Sequence, residues 1–524
     1  MSTVAGLLLT GARLFDARGD LRGDSVLVCD GRIAAFGPRR ELELDAACEV
    51  IDLGGALLLA GMTDTHTHFF EWARRRAGID LSGAQSFDDL LTTLRAAAAS
   101  VPDDPEWIGG GGWDPHFLGD RGRFTRQTLD QVFGDRPVFF EARDYHTLWC
   151  NTEALRRAGV MDGRAEAPAG GWIGRDAAGR PDGLLHETAW ELVRTARPPV
   201  SDAVADRWLD ESRDALHRLG LTGVHCMEPM DVLAHYRRRA DAGRAGLRIC
   251  FHTPLEDLDA RIERGEASYA GRDPWLRLGG VKVFMDGSMG SRTAAMYDAY
   301  PDGGAGTLLM EADELVAVLD RAAGASIAGT VHAIGDRTVD VVTEAIETVR
   351  ARYGGHLRHR IEHAQCVRAT TVPRLARHGI VCAMQPVHLE DDLPLLDREW
   401  GAAAARAYPL REMWDAGVPV CLGSDMPVAT PDPWHGLRLT VARRGRDGRE
   451  FHPEQALAVD EALAGYTAAA APAGGREADL GRIAVGMRAD LTAVDDIRGE
   501  DADTWSADRV RLTMVDGAVV HHAV

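Results

Sequence analysis

The sequence has 524 residues, and its 59 Lys and Arg stand against 80 Asp and Glu, which gives a formal net charge of -21. A chain this acidic lacks the basic surface that nucleic-acid phosphates require, which excludes a nucleic-acid partner. The eight cysteines form no C-x-x-C pair, and no stretch has the pattern of a signal peptide or a membrane span. We therefore expect a soluble, cytoplasmic protein with reduced thiols and no membrane partner.

Both ends of the chain have the character of short β-hairpins. Asp-Gly, Arg-Gly and Gly-Pro turns interrupt the apolar runs of residues 1–60, and residues 478–524 show the same kind of pattern. Because two distant ends share this character, we predict that residues 1–60 and 478–524 together form one composite β-sandwich.

Between these ends, strand-like runs alternate with helical runs, which favours parallel strands joined by crossover helices. The strand candidates lie at 57–68, 222–227, 247–253, 281–287, 329–336, 359–365, 379–386 and 419–425. Eight such units predict an α/β fold, a (β/α)8 TIM barrel over residues 61–477. The count leaves about 70–200 as a long insertion after the first barrel strand, which we interpret as a lid or substrate-recognition element.

Two histidines one residue apart end the first of these strands, in "GMTDTHTHFF". Residues i and i+2 of a strand point to the same face, so His66 and His68 project together and can share a metal ion. Taken alone, the pair is explained equally well as two polar residues at a strand end. The residues at the other strand ends favour the metal site.

Barrel active sites lie at the carboxyl ends of the strands, and further ligand-type residues occur at those ends. They are Lys282 on the fourth strand, His332 on the fifth, His363 on the sixth and Asp425 on the eighth. Neutral imidazoles and carboxylates are good ligands for zinc and related divalent ions. We predict a centre of one or two ions, with Asp425 as a ligand and as the general acid/base that moves a proton from metal-activated water to the leaving nitrogen.

Lys282 lies in the very apolar run "GGVKVFMDG", and a buried lysine requires a reason. Its amine can react with carbon dioxide to give a carbamate, an anionic group that can bridge two metal ions. A salt bridge to a carboxylate such as Asp286 explains the lysine as well, and it would leave a site with a single metal ion. Both interpretations stay open on the sequence.

Eight motifs are spread along nearly the whole chain. They are "DGRIAAFGP", "GMTDTHTH", "DYHTLWCNTEALRRAG", "RPDGLLHETA", "VKVFMDGSMGSRTAAM", "VHAIGD", "RIEHAQ" and "LGSDMPV". Together they resemble the amidohydrolase 3 family of the metal-dependent amidohydrolase superfamily, the group related to N-substituted formamide deformylases and YtcJ-like proteins. The resemblance implies a zinc-type hydrolase whose metal and acid/base positions are His66, His68, Lys282, His332, His363 and Asp425. It also implies carboxylation of Lys282.

Weaker candidates to line a substrate pocket are Trp113, His146, Glu187 and Arg292, with His116 and Trp149 beside them. A histidine in an insertion is more often a surface or core residue than a substrate contact. Arg292 suits a substrate carboxylate, and an ion pair with Asp286 or Asp298 explains it equally well.

We predict hydrolysis of a C–N bond in a small-molecule substrate, an amide, formamide or cyclic amide. The alternatives are a deaminase, another hydrolase or a lyase on the same fold, or an inactive scaffold, which a broken ligand set would reveal. Zinc is the expected metal, although iron, manganese and cobalt fit the same ligands. Self-association is compatible with a barrel of this size.

Overall fold

The computed structural model describes most of the chain. The described residues are 6–17, 19–42, 48–100, 107–113, 122–143, 146–168, 170–271, 273–301 and 303–523. The chain divides into two compact units, the first made of Met1–Phe69 with Arg213–Val524 and the second of Phe70–Ser212.

The described strands are numbered in chain order. They are β1 (Leu7–Thr10), β2 (Arg13–Asp16), β3 (Gly19–Asp20), β4 (Ser25–Cys29), β5 (Arg32–Gly37), β6 (Glu49–Asp52), β7 (Leu57–Ala60), β8 (Met62–Thr67), β9 (Ile79–Asp80), β10 (Ile108–Trp113), β11 (Val138–Ala142), β12 (Thr147–Cys150), β13 (Trp172–Arg175), β14 (Pro181–His186), β15 (Leu221–Met227), β16 (Arg248–Pro254), β17 (Leu276–Phe284), β18 (Gly329–Ala333), β19 (Arg360–His363), β20 (Val381–Met384), β21 (Val420–Leu422), β22 (Leu491–Val494), β23 (Val510–Val515) and β24 (Ala518–His522).

The described α-helices are numbered in the same way. They are α1 (Phe69–Arg76), α2 (Phe87–Ser100), α3 (Arg126–Phe133), α4 (Thr152–Arg157), α5 (Glu191–Ala196), α6 (Asp202–Arg218), α7 (Met230–Asp241), α8 (Leu258–Glu263), α9 (Ala312–Gly324), α10 (Asp336–Tyr353), α11 (Val372–Arg377), α12 (Leu389–Glu399), α13 (Leu410–Asp415), α14 (Pro433–Ala442), α15 (Val459–Tyr466) and α16 (Ala470–Ala473). Within the part of the chain that the structure describes, no helix has the length and apolar character needed to cross a bilayer.

The first unit contains an eight-stranded parallel sheet in the order β8, β15, β16, β17, β18, β19, β20, β21. Its two edge strands approach each other, because Thr67 forms a parallel bridge with Met426 directly after β21. The sheet is therefore a nearly closed barrel. Every residue of β15 and of β20 is buried, as expected for parallel strands covered on both faces. The predicted α/β fold with eight parallel barrel strands is confirmed.

The helical runs between the strands differ from the sequence expectation at one place. The helical runs over 312–325 and 337–353 form α9 and α10. The helical run over 402–417 is instead broken into a 3-10 turn, Gly401–Arg406, and α13. Tyr408 has a left-handed backbone (φ 50°) and precedes Pro409, and this combination does not continue a helix.

The two chain ends meet in the first unit. A four-stranded sheet has the order β5-β4-β1-β6, and a six-stranded sheet has the order β24-β23-β22-β7-β2-β3. In the second sheet β7 from the N-terminal part pairs antiparallel with β22 from the C-terminal part, with Leu58 opposite Ala493. One apolar cluster contains buried residues of both ends, among them Leu14, Leu491 and Leu512.

The predicted first barrel strand, 57–68, is in fact two strands. β7 belongs to the terminal six-stranded sheet, and β8 belongs to the barrel. Gly61 separates them, and a Cβ at this position would lie 2.3 Å from Thr222 Oγ1 on β15. The chain thus changes sheets where only glycine allows the close approach of two strands.

The second unit is built on a six-stranded mixed sheet in the order β13-β14-β12-β11-β10-β9. The runs "WIGGGGW" and "PVFFEA" of the sequence form its strands β10 and β11, which pair in parallel. Aromatic rings fill its core, with Phe124 packed 4.9 Å from both Trp113 and Trp149 between ring centroids. This unit has its own hydrophobic core.

Candidate active site

The carboxyl end of β8 places His66 and His68 beside Asp425. The backbone N–H of Asp425 donates to the carbonyl of His66 (2.7 Å), and the N–H of His68 donates to the carbonyl of Met426 (2.7 Å). These bonds hold the three side chains on neighbouring strand ends. Asp425 Oδ1 lies 3.3 Å from His68 Nε2 and 3.6 Å from His66 Nε2.

His363 joins this group from the end of β19. The imidazole centroids of His363 and His66 are 4.7 Å apart. His66, His363 and Asp425 are all buried, and each offers one ligand atom within 4.8 Å of the other two. Three of the predicted metal-site residues therefore converge closely enough to coordinate one ion, and His68 borders them through Asp425.

His332 lies next to His363, but its Nε2 atom is already in a hydrogen bond. Its ring centroid is 4.5 Å from that of His363. Its Nε2–H donates to the carbonyl of Gly287 (3.2 Å) and lies 3.5 Å from Asp286 Oδ1. The unprotonated nitrogen of His332 in this arrangement is Nδ1.

Partners behind the ligand-type histidines fix which nitrogen faces the site. His66 Nδ1–H donates to Glu362 Oε2 at 2.6 Å, and His363 Nδ1–H donates to Gln385 Oε1 at 2.8 Å. Both rings thereby keep their Nε2 lone pairs for an ion, the arrangement typical of histidines that bind metals. The sequence reasoning missed Glu362 and Gln385.

The partner of Glu362 is also a charged residue inside the barrel. Arg360 donates from Nε to Glu362 Oε1 (2.8 Å) and from Nη2 to Oε2 (3.0 Å), and both side chains are fully buried. Residues i and i+2 of a strand share a face, so opposite charges at these two positions of an apolar strand were a usable signal for an interior ion pair.

The charge states of the group suit a divalent cation. Burial lowers the pKa of His66 to about 4 and that of His332 to about 3, so these imidazoles are neutral near pH 7. Burial alone would raise the pKa of Asp425, but the surrounding imidazoles hold it well below its usual range. Burial also lowers the pKa of His363, so His66, His332 and His363 supply neutral nitrogen donors beside one carboxylate, as a zinc-type site requires. His68 differs, because its hydrogen bond and the charge of Asp425 outweigh burial and raise its pKa.

Lys282 is buried and lies on β17, and burial lowers its pKa to about 8. Its expected alternative partner, Asp286, is occupied elsewhere. The Asp286 carboxylate accepts hydrogen bonds from the backbone N–H groups of Ala295, Ile334 and Gly335. The salt bridge between Lys282 and Asp286 is therefore not formed, because Asp286 lies beyond the strand and binds backbone instead.

Three polar atoms of this region have no hydrogen-bond partner among the described residues, although all three are buried. They are Lys282 Nζ, Asp425 Oδ1 and His388 Nε2. Buried polar atoms are nearly always paired, and a buried charge without a partner is costly. A divalent ion would satisfy Asp425, so the side chains present fit a metal ion.

Two of the candidate ligands have strained backbones. His363 (φ 73°) and Asp425 (φ 62°) are both in the left-handed region, which non-glycine residues rarely adopt. Such residues concentrate at functional sites, where the surrounding structure enforces the conformation. Here the strain occurs at the two strand ends that supply ligand-type side chains.

A second group of ligand-type side chains, His225, Cys250 and His252, lies inside the same barrel. Arg360 Nη1 donates to His225 Nδ1 (2.8 Å) and lies 3.4 Å from His252 Nε2. A guanidinium at this distance repels a cation and already uses the His225 lone pair. This group is a hydrogen-bonded core network.

The weaker candidates Trp113, Trp149, His146 and Glu187 belong to the second unit. Trp113 and Trp149 are fully buried core residues, and their indole N–H groups donate to the carbonyls of Phe140 and Thr125. His146 Nδ1 lies 2.9 Å from Glu187 Oε2 in a half-exposed pair.

The two remaining candidates are His116 and Arg292. His116 lies outside the described residues. Arg292 forms an ion pair with Glu399 (2.6 Å from Nε to Oε2), and this partner is neither of the two aspartates that the sequence suggested.

A protein-family model described as "Amidohydrolase family" matches residues 49–521. The chain belongs to the amidohydrolase family. This confirms the membership that the motifs indicated.

Similar proteins span nearly the whole chain. The putative amidohydrolase YtcJ of Bacillus subtilis (strain 168) is 29% identical over 522 residues, which cover 95% of this chain and 96% of that protein. The N-substituted formamide deformylase of Arthrobacter pascens is 29% identical over 528 residues, 94% of each chain. The crystal structure of an uncharacterized metal-dependent hydrolase from Pyrococcus furiosus has a TM-score of 0.79 and 26% identity, and the match covers 94% of this chain and 99% of that one.

Proposed function

We propose that this amidohydrolase-family protein is a metal-dependent hydrolase of a C–N bond in an amide, formamide or cyclic amide. The observation that carries the proposal is the convergence of neutral imidazoles and a carboxylate with unpartnered buried atoms at the carboxyl ends of barrel strands. The similarity to an N-substituted formamide deformylase supports the C–N bond as the target.

His66, His68, His363 and Asp425 would hold the metal ion, with His332 and Lys282 available for a second ion. A bound divalent ion, zinc in the first place, would supply an activated water and polarise the substrate carbonyl. Glu362 and Gln385 keep the Nε2 atoms of their histidines turned toward the ion.

Asp425 is the residue that moves the proton. Its ionised carboxylate accepts a proton from the attacking water and returns it to the departing nitrogen, so the amine leaves as a neutral group. The low pKa of Asp425 keeps the carboxylate ionised, which is the form that can accept a proton. The buried surroundings strengthen each of these charge interactions relative to water.

Lys282 has a property that distinguishes it from every other cation of the chain. It is the only lysine among the 59 Lys and Arg residues. An arginine side chain would serve an ion pair equally well, but only an amine adds to carbon dioxide to give a carbamate and release a proton. We propose that Lys282 is carboxylated when two metal ions are bound, because this converts a buried cation without a hydrogen-bond partner into an anionic ligand.

The single lysine makes the carbamate directly testable. Metal-loaded protein equilibrated with 13C-bicarbonate should show a side-chain carbamate signal by 13C NMR, and the Lys282→Arg variant should lack it. Elemental analysis should give about two ions per chain in the parent and one or none in Lys282→Ala. A single ion in both proteins, without a carbamate signal, would leave a mononuclear hydrolase.

The chemistry is tested on the same metal-loaded protein. A panel of N-substituted formamides and cyclic amides should yield formate or the ring-opened acid together with the amine, and Asp425→Asn should abolish the release. Ammonia release from amino-substituted heterocycles, with all amides left intact, would replace the proposal by a deaminase. Failure of the parent to bind any divalent ion would refute the metal-dependent reaction altogether.

A further inference from the structure

The turn after the seventh barrel strand ends in a histidine, His388, that the proposed reaction has not used. β20 leads into a 3-10 turn, Pro386–His388, at the edge of the barrel that carries the candidate active site. We propose that His388 is a further catalytic residue, which donates a hydrogen bond from Nε2 to the substrate oxygen that gains negative charge during attack. This inference rests on the proposed hydrolase function.

His388 approaches the carboxylate that the proposed mechanism uses as acid and base. His388 Nε2 lies 3.8 Å from Asp425 Oδ2, whereas the other oxygen of Asp425 faces His66 and His68. The His388 ring is stacked at 22° to that of His363, with the centroids 6.3 Å apart. The imidazole therefore borders the candidate ligands without being held by any of them.

The hydrogen on the His388 ring is assigned by its neighbour Gln365. The Gln365 side-chain nitrogen lies 3.5 Å from His388 Nδ1, and an amide nitrogen can only donate. In this orientation Nδ1 is the acceptor and the ring hydrogen is on Nε2, the nitrogen that faces the Asp425 carboxylate. A protonated nitrogen is a poor metal ligand, so His388 presents a donor to the site.

This donor has no acceptor within the described residues, although Nε2 is buried and only 13% of the side chain is exposed. A buried donor without a partner is a rare and costly arrangement in folded proteins. A cation cannot relieve it, but an oxygen atom with developing negative charge can. Donors placed ahead of the reaction in this way stabilise the charge that forms in an acyl-transfer transition state.

The test uses acetohydroxamate, whose anionic oxygens mimic the charged species, on zinc-loaded full-length protein. We expect His388→Leu to keep the metal content of the parent and to bind acetohydroxamate about tenfold or more weakly by calorimetry, since a hydrogen bond to a charged partner is lost. His388→Gln, which retains a donor, should recover part of the affinity. The exposed His356→Leu should match the parent, and circular dichroism verifies folding of each variant.

Two outcomes would overturn the role of His388. Unchanged acetohydroxamate affinity in His388→Leu would mean that the donor meets no ligand oxygen, and loss of zinc from that variant would make His388 a metal ligand. A parent that binds no zinc would refute the hydrolase proposal and this inference together. On any C–N substrate found for the parent, His388→Leu should lower kcat with little change in KM, because the bond forms in the transition state.

Discussion

At the scale of single residues, the side chains behind the candidate ligands should control metal affinity. Gln385 accepts the Nδ1–H of His363, and leucine at this position leaves that N–H buried and the ring free to turn. We expect Gln385→Leu to weaken zinc binding roughly 10- to 100-fold, the usual effect of removing such a partner. The zinc dissociation constant of each protein is measured by competition with a chelator.

The exposed Gln131, on α3 of the second unit, provides the matched control. Gln131→Leu makes the same chemical change and should leave the zinc dissociation constant at the parent value. If both variants bound zinc as the parent does, the hydrogen bond from His363 to Gln385 would have no part in metal binding.

The residues at strand ends were identifiable from the sequence, whereas the side-chain partner of Arg292 was not. The six metal-site candidates were selected from strand ends, and the structure brings them to one edge of the barrel. For Arg292 the sequence left open a substrate carboxylate or an ion pair with Asp286 or Asp298, and the structure pairs it with Glu399, 107 positions along the chain. A side-chain partner that distant depends on how loops fold back, and local pattern carries no information about it.

His359, a buried histidine away from the candidate active site, should make the folding stability depend on pH. His359 Nδ1 accepts the backbone N–H of Gly329 (3.0 Å), and burial lowers its pKa to about 4, below the value of about 6.5 in an unfolded chain. The unfolded state therefore binds more protons, and the stabilisation by neutral His359 is complete above pH 6.5 and lost as the pH falls toward 4.

The prediction compares urea unfolding of chelator-treated protein at pH 7 and pH 5. The parent should lose about 2 kcal/mol more unfolding free energy between these pH values than His359→Gln, which cannot take up the proton. The exposed His356→Gln should follow the parent at both pH values. Parallel losses in all three proteins would show that protonation of His359 has no share in the acid sensitivity.

At the scale of elements, the barrel strands were the most predictable part of the fold. Each of the eight strand candidates overlaps a barrel strand, because buried parallel strands are short apolar runs bounded by turns and loops. The first candidate nevertheless merged β7 with β8. Both are apolar and only Gly61 separates them, so periodicity could not show that the chain changes sheets there.

The contact between β8 and the loop after β21 is a further element-level test. A Cβ on Gly423 would lie 2.6 Å from Asp64 Oδ1 and 2.7 Å from the backbone nitrogen of His66. Gly423→Ala must push the end of β21 away from β8. We expect about 1–3 kcal/mol of destabilisation and weaker zinc binding, because His66 and Asp425 are displaced relative to each other.

Gly290 is the control for this substitution. It is exposed, and a Cβ there has no neighbour within 4 Å, so Gly290→Ala should leave both urea unfolding and zinc affinity near the parent values. If Gly423→Ala bound zinc as tightly as the parent, the spacing between the ends of β8 and β21 would not control metal binding.

At the scale of the whole molecule, the sequence indicated that the two chain ends associate, but it did not indicate which strands pair. Matching hairpin character at both termini suggested a shared module, and the structure pairs β7 with β22 across more than 400 residues. The composite sandwich itself stays a prediction. The second unit could not be outlined from pattern alone, because its strands and helices follow the same periodicities as those of the barrel.

A buried ion pair joins the barrel to the terminal sheet of the first unit, and breaking it should destabilise that unit. Arg248 on β16 donates from Nε and Nη2 to the two oxygens of Asp490, both at 2.8 Å, and also reaches Asp516. Asp490→Asn leaves a buried guanidinium with half of its charge partners. We expect a loss of about 3 kcal/mol of unfolding free energy in urea, the lower end for a broken buried pair because Asp516 remains.

Asp495 and Arg511 form an ion pair of similar length on the surface of the same sheet, 2.6 Å from Arg511 Nε to Asp495 Oδ1. Asp495→Asn should cost less than about 1 kcal/mol, because water and salt screen exposed charges. The difference between the two variants isolates burial from charge, since both remove one carboxylate from one arginine. Equal losses of unfolding free energy would mean that the buried pair at Arg248 stabilises the fold no more than an exposed pair. Apolar packing alone would then hold the chain ends to the barrel.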